Sequence, residues 1–314
     1  MVPLGYALYR HRYPLYNFQL GEMLDTFPKI DTLAADAISI FGRYTRRMLH
    51  KLGVAGVICF GFNHLVKARE GKLLNFFAAG RIKHLSLFFS DPLELLPEGE
   101  REAALSSSYW RAVILDPEAH EELVRKLPST SWHYLPPATD PELYFPIAGV
   151  NDAEAWSTDF SYVGAYSEEV AEMMLAAGAE RFLIWGEPRW GEHPVLGSRF
   201  RGSALRVGAL NRIYNLSRFV LVLDEPPALA VQRGLDVLAA GSVPVMREGV
   251  ARWLGELVGK GEFPLVTGGE DLLSLARDSS PAEWRSRLAG ARRALLSSHT
   301  WYHRIPRLVE ILLR

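Results

Sequence analysis

Cysteine is almost missing from this chain. Its 314 residues include one, Cys59, so no disulfide can form within it, and the flanking Ile58 and Phe60 read as a buried strand rather than a reactive thiol site. An excess of charge is missing too. Thirty-five Lys and Arg stand against 36 Asp and Glu, leaving a net charge of −1 and none of the concentrated basic surface that nucleic-acid binding demands. No stretch reaches the ~18 uninterrupted apolar residues of a membrane span, and Arg10, His11 and Arg12 stand where a secretory leader would place its apolar core. The expectation is a soluble, cytoplasmic protein with no integral membrane segment and no nucleic-acid partner.

Familiar catalytic signatures are also absent. There is no HExxH, no CxxC, no GxSxG elbow and no GxxxxGK[ST] loop, which argues against a zinc protease, an esterase and a P-loop NTPase. His299 and His303 have the i, i+4 spacing of a zinc pair but lack an evident third ligand, so no metal is expected. What the chain does have is 48% hydrophobic residues with 23% charged ones. That is ordinary globular composition, at a length that suits two domains.

The first thirty residues are rich in tyrosine but show no clear period. A mixed apolar pattern predicts a helix over Ala34 to Leu52, ended by Gly53, and then a strand at Val54 to Phe60. Further strands are predicted at Leu85–Phe89, Ala112–Leu115 and Ser131–Leu135, with a helix from Asp116-Pro117 through Lys126. Asp91 falls on the loop after a strand, where parallel-sheet proteins place ligand groups, although its carboxylate could equally cap the next turn. Four prolines between Pro136 and Pro146 mark a domain boundary.

Beyond it, strand and helix alternate as in a parallel α/β lobe. Strands are predicted at Phe160–Gly164, Arg181–Trp185, Ala204–Val207, Phe219–Leu223, Ser242–Met246 and Phe263–Val266. Helices are predicted after Ser167, over Ala209–Leu216, near Glu270, and from a capping box at Ser280-Pro281-Ala282-Glu283 to Ser298.

The segment Gln232–Val245, QRGLDVLAAGSVPV, organises this second half. Leu235, Leu238 and Ala239 form one apolar helix face, Gln232, Arg233 and Asp236 gather on the opposite side, and Gly241 supplies a left-handed stop before a buried strand. An exposed acid and arginine at that place suit a nucleotide, the carboxylate taking ribose hydroxyls and the guanidinium a phosphate. The same spacing also suits a surface ion pair. Gly164, Gly186 and Gly241 end strands or helices where backbone amides can approach an anion, and turns need glycine in any case. Trp185 and Trp190 could stack on a base or sugar, though Trp185 within a strand suits a core.

Five motifs in order, LPPATDPELYFP (Leu135–Pro146), FSYVGAY (Phe160–Tyr166), IWGEPRW (Ile184–Trp190), QRGLDVLAAGSVPV and HTWYHR (His299–Arg304), resemble the spore-maturation CgeB-like glycosyltransferases, which are related to the group 1 glycosyltransferases. The resemblance covers about Leu85 to the C-terminus. It implies a GT-B fold of two Rossmann-like lobes with a cleft between them: residues 1–147 as the acceptor lobe, 148–298 as the nucleotide-sugar lobe, and 299–314 as a terminal helix returning to the first. By that analogy Asp236 holds the donor ribose, Arg233 precedes it as in relatives, and Gly164 passes close to the diphosphate. Ala228 stands where many group 1 enzymes carry a second acid, and the first eighty residues lack an obvious strand, glycine-rich loop and helix.

The expected activity is transfer of a sugar from a nucleotide donor, a UDP-sugar, to an unidentified acceptor, with no metal or other cofactor. Arg233 is the first choice to stabilise the leaving phosphate, with Arg189 and Arg212 as further donor-site arginines unless they are ordinary surface residues. A retaining reaction needs no base; an inverting one would use Asp91. The competing readings are a nucleotide-sugar epimerase or hydrolase of the same fold, and a degenerate protein that binds the nucleotide sugar without turning it over.

Overall fold

The computed structural model describes residues 2–8, 30–36, 56–60, 83–92, 110–149, 158–203, 207–223, 226–259 and 262–314. The chain divides into two compact units, Met1–Pro136 with Trp301–Arg314, and Pro137–Thr300. The proline-rich segment from Pro137 onward therefore belongs with the second unit.

Among the described residues the first unit is built on six parallel strands, β1 (Val2–Leu8), β2 (Ile30–Asp36), β3 (Gly56–Phe60), β4 (Lys83–Phe88), β5 (Trp110–Ile114) and β6 (Trp132–Tyr134), in the order β2-β1-β3-β4-β5-β6. Two of them correct the sequence reading. Val2–Leu8 pairs with Ile30–Asp36 along its whole length, so the N-terminal region does hold strands, and Ala34 to Asp36 extend a strand opposite Tyr6 to Leu8 instead of opening a helix. Alanine favours helix locally, but backbone pairing with a distant strand outweighs so weak a preference. Positions 37–52 of the expected helix lie outside the described residues.

Helix α1 (Pro117–Lys126) starts where the Asp-Pro pair predicts: the Asp116 carboxylate accepts from the Glu118 and Ala119 amides at 2.9 and 3.0 Å. Those amides have no partner within the helix, so the cap stabilises its first turn.

The second unit has four parallel strands, β7 (Thr158–Gly164), β8 (Phe182–Gly186), β9 (Ser217–Val222) and β10 (Pro244–Met246), in the order β10-β9-β7-β8. Their register sets Phe160 opposite both Phe182 and Phe219, and the rings stack at 5.1 and 5.7 Å in the core. The connecting helices are α2 (Glu168–Ala177), α3 (Val207–Asn215), α4 (Pro227–Ala239), α5 (Glu248–Val258), α6 (Gly269–Asp278) and α7 (Pro281–Ser298).

Helix α4 ends as predicted at Gly241, with φ at 77°. The Ser242 and Gly241 amides donate to the Val237 and Leu238 carbonyls at 3.1 and 3.0 Å, satisfying carbonyls that the helix end would otherwise leave unpaired.

Several local expectations need correction. Ser167 and Ser280 precede α2 and α7 as foreseen, but neither side chain makes a capping hydrogen bond; the helices begin on the Ser167 and Ser280 carbonyls, which accept from Ala171 and Trp284. Val207 opens α3 rather than closing a strand, and Ala204–Arg206 lie outside the described residues. Phe263–Val266 supplies only an isolated bridge, Leu265 to Met246.

The last helix, α8 (Trp301–Leu313), packs with the first unit, against β3 and β4. Trp301, Ile305, Leu308 and Leu312 recur at helical spacing and are wholly buried. Gly56 lets this helix approach closely, since a Cβ there would lie 2.7 Å from the Leu312 side chain.

Candidate functional site

The face of α4 that bears Gln232 and Asp236 is closed. Asp236 is 1% exposed and Gln232 fully buried, because the proline-rich strap at 137–147 lies over them. Thr139 donates its hydroxyl to the Asp236 carboxylate at 2.7 Å, and the Gln232 amide donates to the same oxygen at 3.3 Å. Gln232 also pairs with both backbone groups of Ala138, its oxygen accepting from the amide and its nitrogen donating to the carbonyl.

The strap is held further along by asparagines of α3. Asn211 accepts from the Phe145 amide at 3.2 Å, and Asn215 accepts from the Ile147 amide at 2.8 Å while donating to the Phe145 carbonyl at 3.1 Å. Tyr144 stacks on Tyr214 at 5.8 Å, and the Thr139 amide donates to His299 at 3.1 Å. Three of the motifs that carry the family resemblance thus meet in one buried polar network whose work is structural. Such groups are stable inside a protein because they are paired.

This overturns the expectation that Asp236 stands on a free face for a ribose. Its carboxylate is taken by Thr139 and Gln232, and burial pushes its pKa well above the ordinary aspartate value, with Thr139, Arg233 and Gln232 opposing that shift only in part. Arg233 is half-buried beside it and its guanidinium donates to the Tyr214 hydroxyl at 3.3 Å. The expected phosphate role for Arg233 therefore has to compete with an internal one. Periodicity could place both residues on one face but could not reveal what covers it.

The open chemistry of the second unit lies at the carboxyl edge of its sheet. Strand β7 is followed by β8 on one side and β9 on the other, so the connections diverge between β7 and β9, and in parallel sheets that divergence makes a crevice for ligands. Gly164 and Gly186 end the adjacent strands β7 and β8 there. At Gly186, φ is 126° and a Cβ would lie 2.2 Å from the Gly164 carbonyl oxygen. The glycine is needed for the close approach of two strand ends, a reason different from anion binding.

Next to them the Arg189 guanidinium lies over the Tyr166 ring at 4.6 Å, and Tyr166 packs on Trp190 at 4.8 Å. The Tyr166 amide donates to Glu187 at 2.8 Å and its hydroxyl to Glu168 at 2.6 Å. Arg189 is exposed. Trp190 is 0% exposed and donates its indole N–H to the Gly164 carbonyl at 3.3 Å, so it braces the loop from below and is no stacking platform; Trp185 is half-buried within β8.

The remaining expected residues fall elsewhere. Arg212 is exposed in the last turn of α3, which leads into the start of β9 and so lies at the amino edge of the sheet, away from Gly164 and Arg189. Gly241 also lies at that edge, against Pro146. Asp91 follows β4 in the first unit, half-buried, beside a buried Pro92. The sequence reading missed Thr139, Asn211 and Asn215; a Thr and two Asn at i, i+4 carry no signal until their partners are known. Among the described residues no three His, Cys, Asp or Glu side chains group as a metal site, and no helix is long and apolar enough to cross a membrane.

Residues 167–310 match the family described as glycosyl transferase-like. No curated protein sequence matches significantly. Among solved structures, an alpha-glucosyltransferase in complex with UDP and a DNA 13-mer aligns with a TM-score of 0.67 at 8% identity, covering 99% of each chain. Sucrose-phosphate synthase from Thermosynechococcus elongatus gives 0.64 at 13% identity, over 99% of this chain and 98% of that one. HepE of Anabaena, solved with UDP and glucose, gives 0.62 at 11%, over 99% and 100%. The fold is GT-B, two Rossmann-like α/β lobes.

Proposed function

We propose that the chain is a glycosyltransferase that takes a sugar from a UDP-linked donor and passes it to an acceptor hydroxyl. The observation that carries the reading is the crevice edge of the second sheet, where Gly164 and Tyr166 meet an exposed Arg189 that lies inside the segment matching a glycosyl transferase-like family. Structural neighbours solved with UDP support the choice of nucleotide. The donor seat is assigned to Gly164, Gly186 and Arg189 at this edge, with Asp236 acting from within by holding the strap.

In the reaction the bond between the sugar's anomeric carbon and the diphosphate oxygen breaks. The acceptor oxygen forms the new glycosidic bond, UDP leaves with the electron pair, and the hydroxyl proton passes to the departing phosphate or to water. The barrier is lowered by whatever stabilises charge on the leaving phosphate, and an arginine can do so without a metal. We assign a retaining course, as the group 1 resemblance implies. Asp91→Asn tests it: transfer that persists in the variant supports retention, and transfer that disappears while the chain stays folded points to inversion with Asp91 as base.

A second reading has one specific support, a solved UDP-N-acetylglucosamine 2-epimerase that aligns at TM-score 0.52 and 10% identity over 93% of this chain. An epimerase or hydrolase alters its nucleotide sugar with no acceptor present. Product analysis after incubation with a panel of UDP-sugars, with and without mixed sugar and polyol acceptors, separates the readings. Acceptor-dependent release of UDP is expected, and a new sugar nucleotide formed from donor alone would overturn it. A ligand at 100 times its dissociation constant raises stability by roughly 2.7 kcal/mol, so thermal shifts can identify the donor beforehand. A shift with UDP-sugars but no turnover under any condition would leave a binding protein instead.

A further inference from the structure

We propose that Arg247 is a second binding residue for the donor's diphosphate, exchanging its ion pair with Glu169 for the phosphates. The inference rests on the nucleotide-sugar reading above and adds a residue to it. Arg247 directly follows β10 in extended backbone, as the residue before α5, so its side chain starts from the carboxyl edge of the sheet. Glu169 lies in the first turn of α2, just beyond the end of β7. Between β10 and β7 runs β9. The Arg247 guanidinium nevertheless reaches Glu169 at 2.6 Å, so the ion pair passes the end of β9 at the divergence point between β7 and β9.

Three features make this a ligand contact in waiting rather than a brace. First, the pair is solvated: the Arg247 and Glu169 side chains are 40% and 65% exposed, and a pair so exposed contributes under about 1 kcal/mol. Second, the loop and first turn after β7, Gly164 to Ala171, contain no Lys or Arg, while Glu168, Glu169 and nearby Glu187 supply negative charge. A diphosphate there needs cations brought from neighbouring strands. Third, Arg189 follows β8 and Arg247 follows β10, so the two flank the crevice from opposite sides of the sheet. A guanidinium can exchange a single carboxylate oxygen for two phosphate oxygens held as a fork, which favours the diphosphate.

Calorimetric titration of the full chain with UDP and with uridine tests the assignment. Arg247→Ala should weaken UDP about tenfold or more, the scale of one lost charge-assisted contact, and leave uridine unchanged. Glu169→Gln, which removes this ion pair and one negative charge beside the crevice, should tighten UDP by about two- to threefold. An Arg247→Ala variant that binds UDP like the parent, or loses UDP and uridine equally, overturns the proposal. A parent chain that binds no nucleotide at all overturns instead the functional reading beneath it.

Discussion

The two ends of the second unit treat polar side chains in opposite ways. At the strap, Gln232, Asp236, Thr139, Asn211 and Asn215 are buried and spend their hydrogen bonds on backbone and on one another. At the carboxyl edge, Arg189, Arg247, Glu169 and Tyr166 meet solvent and are joined by ring contacts and surface ion pairs. The buried set is costly to disturb and cheap to keep; the exposed set can change partners at little cost. The difference teaches that a charged residue at a family-like position is not for that reason a ligand contact. Asp236 occupies such a position, and its buried carboxylate accepts from Thr139 and Gln232.

The sharpest way to break the carboxyl edge is steric. Gly186→Ala forces a side chain onto a φ of 126° with its Cβ against the Gly164 carbonyl, and should cost about 3 kcal/mol or more, read by denaturant titration. Next in size, Asp236→Ala strands the Thr139 hydroxyl and the Gln232 amide inside the strap network and should cost about 1–3 kcal/mol. Asp236→Asn keeps an acceptor in the same place and should leave stability near the parent value at low pH.

That pair of variants also has a pH signature. The folded chain holds a proton on Asp236 that the unfolded chain releases as pH climbs past the ordinary carboxylate value of about 4. The contribution of this group is therefore fully present below that pH and is lost as pH rises through the elevated folded value. Asp236→Asn should become increasingly stable relative to the parent as pH rises from about 4 toward the elevated folded value. A constant difference across that range would mean the carboxylate is ionised throughout. Smallest of all, Arg189→Ala should shift stability by no more than about 0.5 kcal/mol, as expected for an exposed side chain, while weakening UDP.

Much of the scaffold was legible in the sequence. Leu85–Phe89 and Phe219–Leu223 are apolar runs of strand length, and α1 announces itself through Asp116-Pro117 because a cap is made by residues two and three positions apart. β1 and β2 were not legible, since each is a strand by virtue of pairing with segments distant in the chain, β2 with β1 and β1 with both β2 and β3. For the same reason the placement of the candidate residues was only partly legible. Gly164, Gly186 and Arg189 follow strand ends, which sequence can locate, whereas the burial of Asp236 depends on Thr139, 97 residues away. Arg212 and Gly241 were misplaced because spacing along the chain does not say which edge of a sheet a connection visits.

If the donor nucleotide is gripped at the strand ends while Asp236 only secures the strap, UDP affinity should follow Arg189 and not Asp236. Titrating UDP into Arg189→Ala and Asp236→Asn side by side tests it directly. The account predicts weakened binding, by about tenfold, in the first and unchanged binding in the second. Parent-like affinity in Arg189→Ala together with loss of UDP binding in a fully folded Asp236→Asn would contradict it.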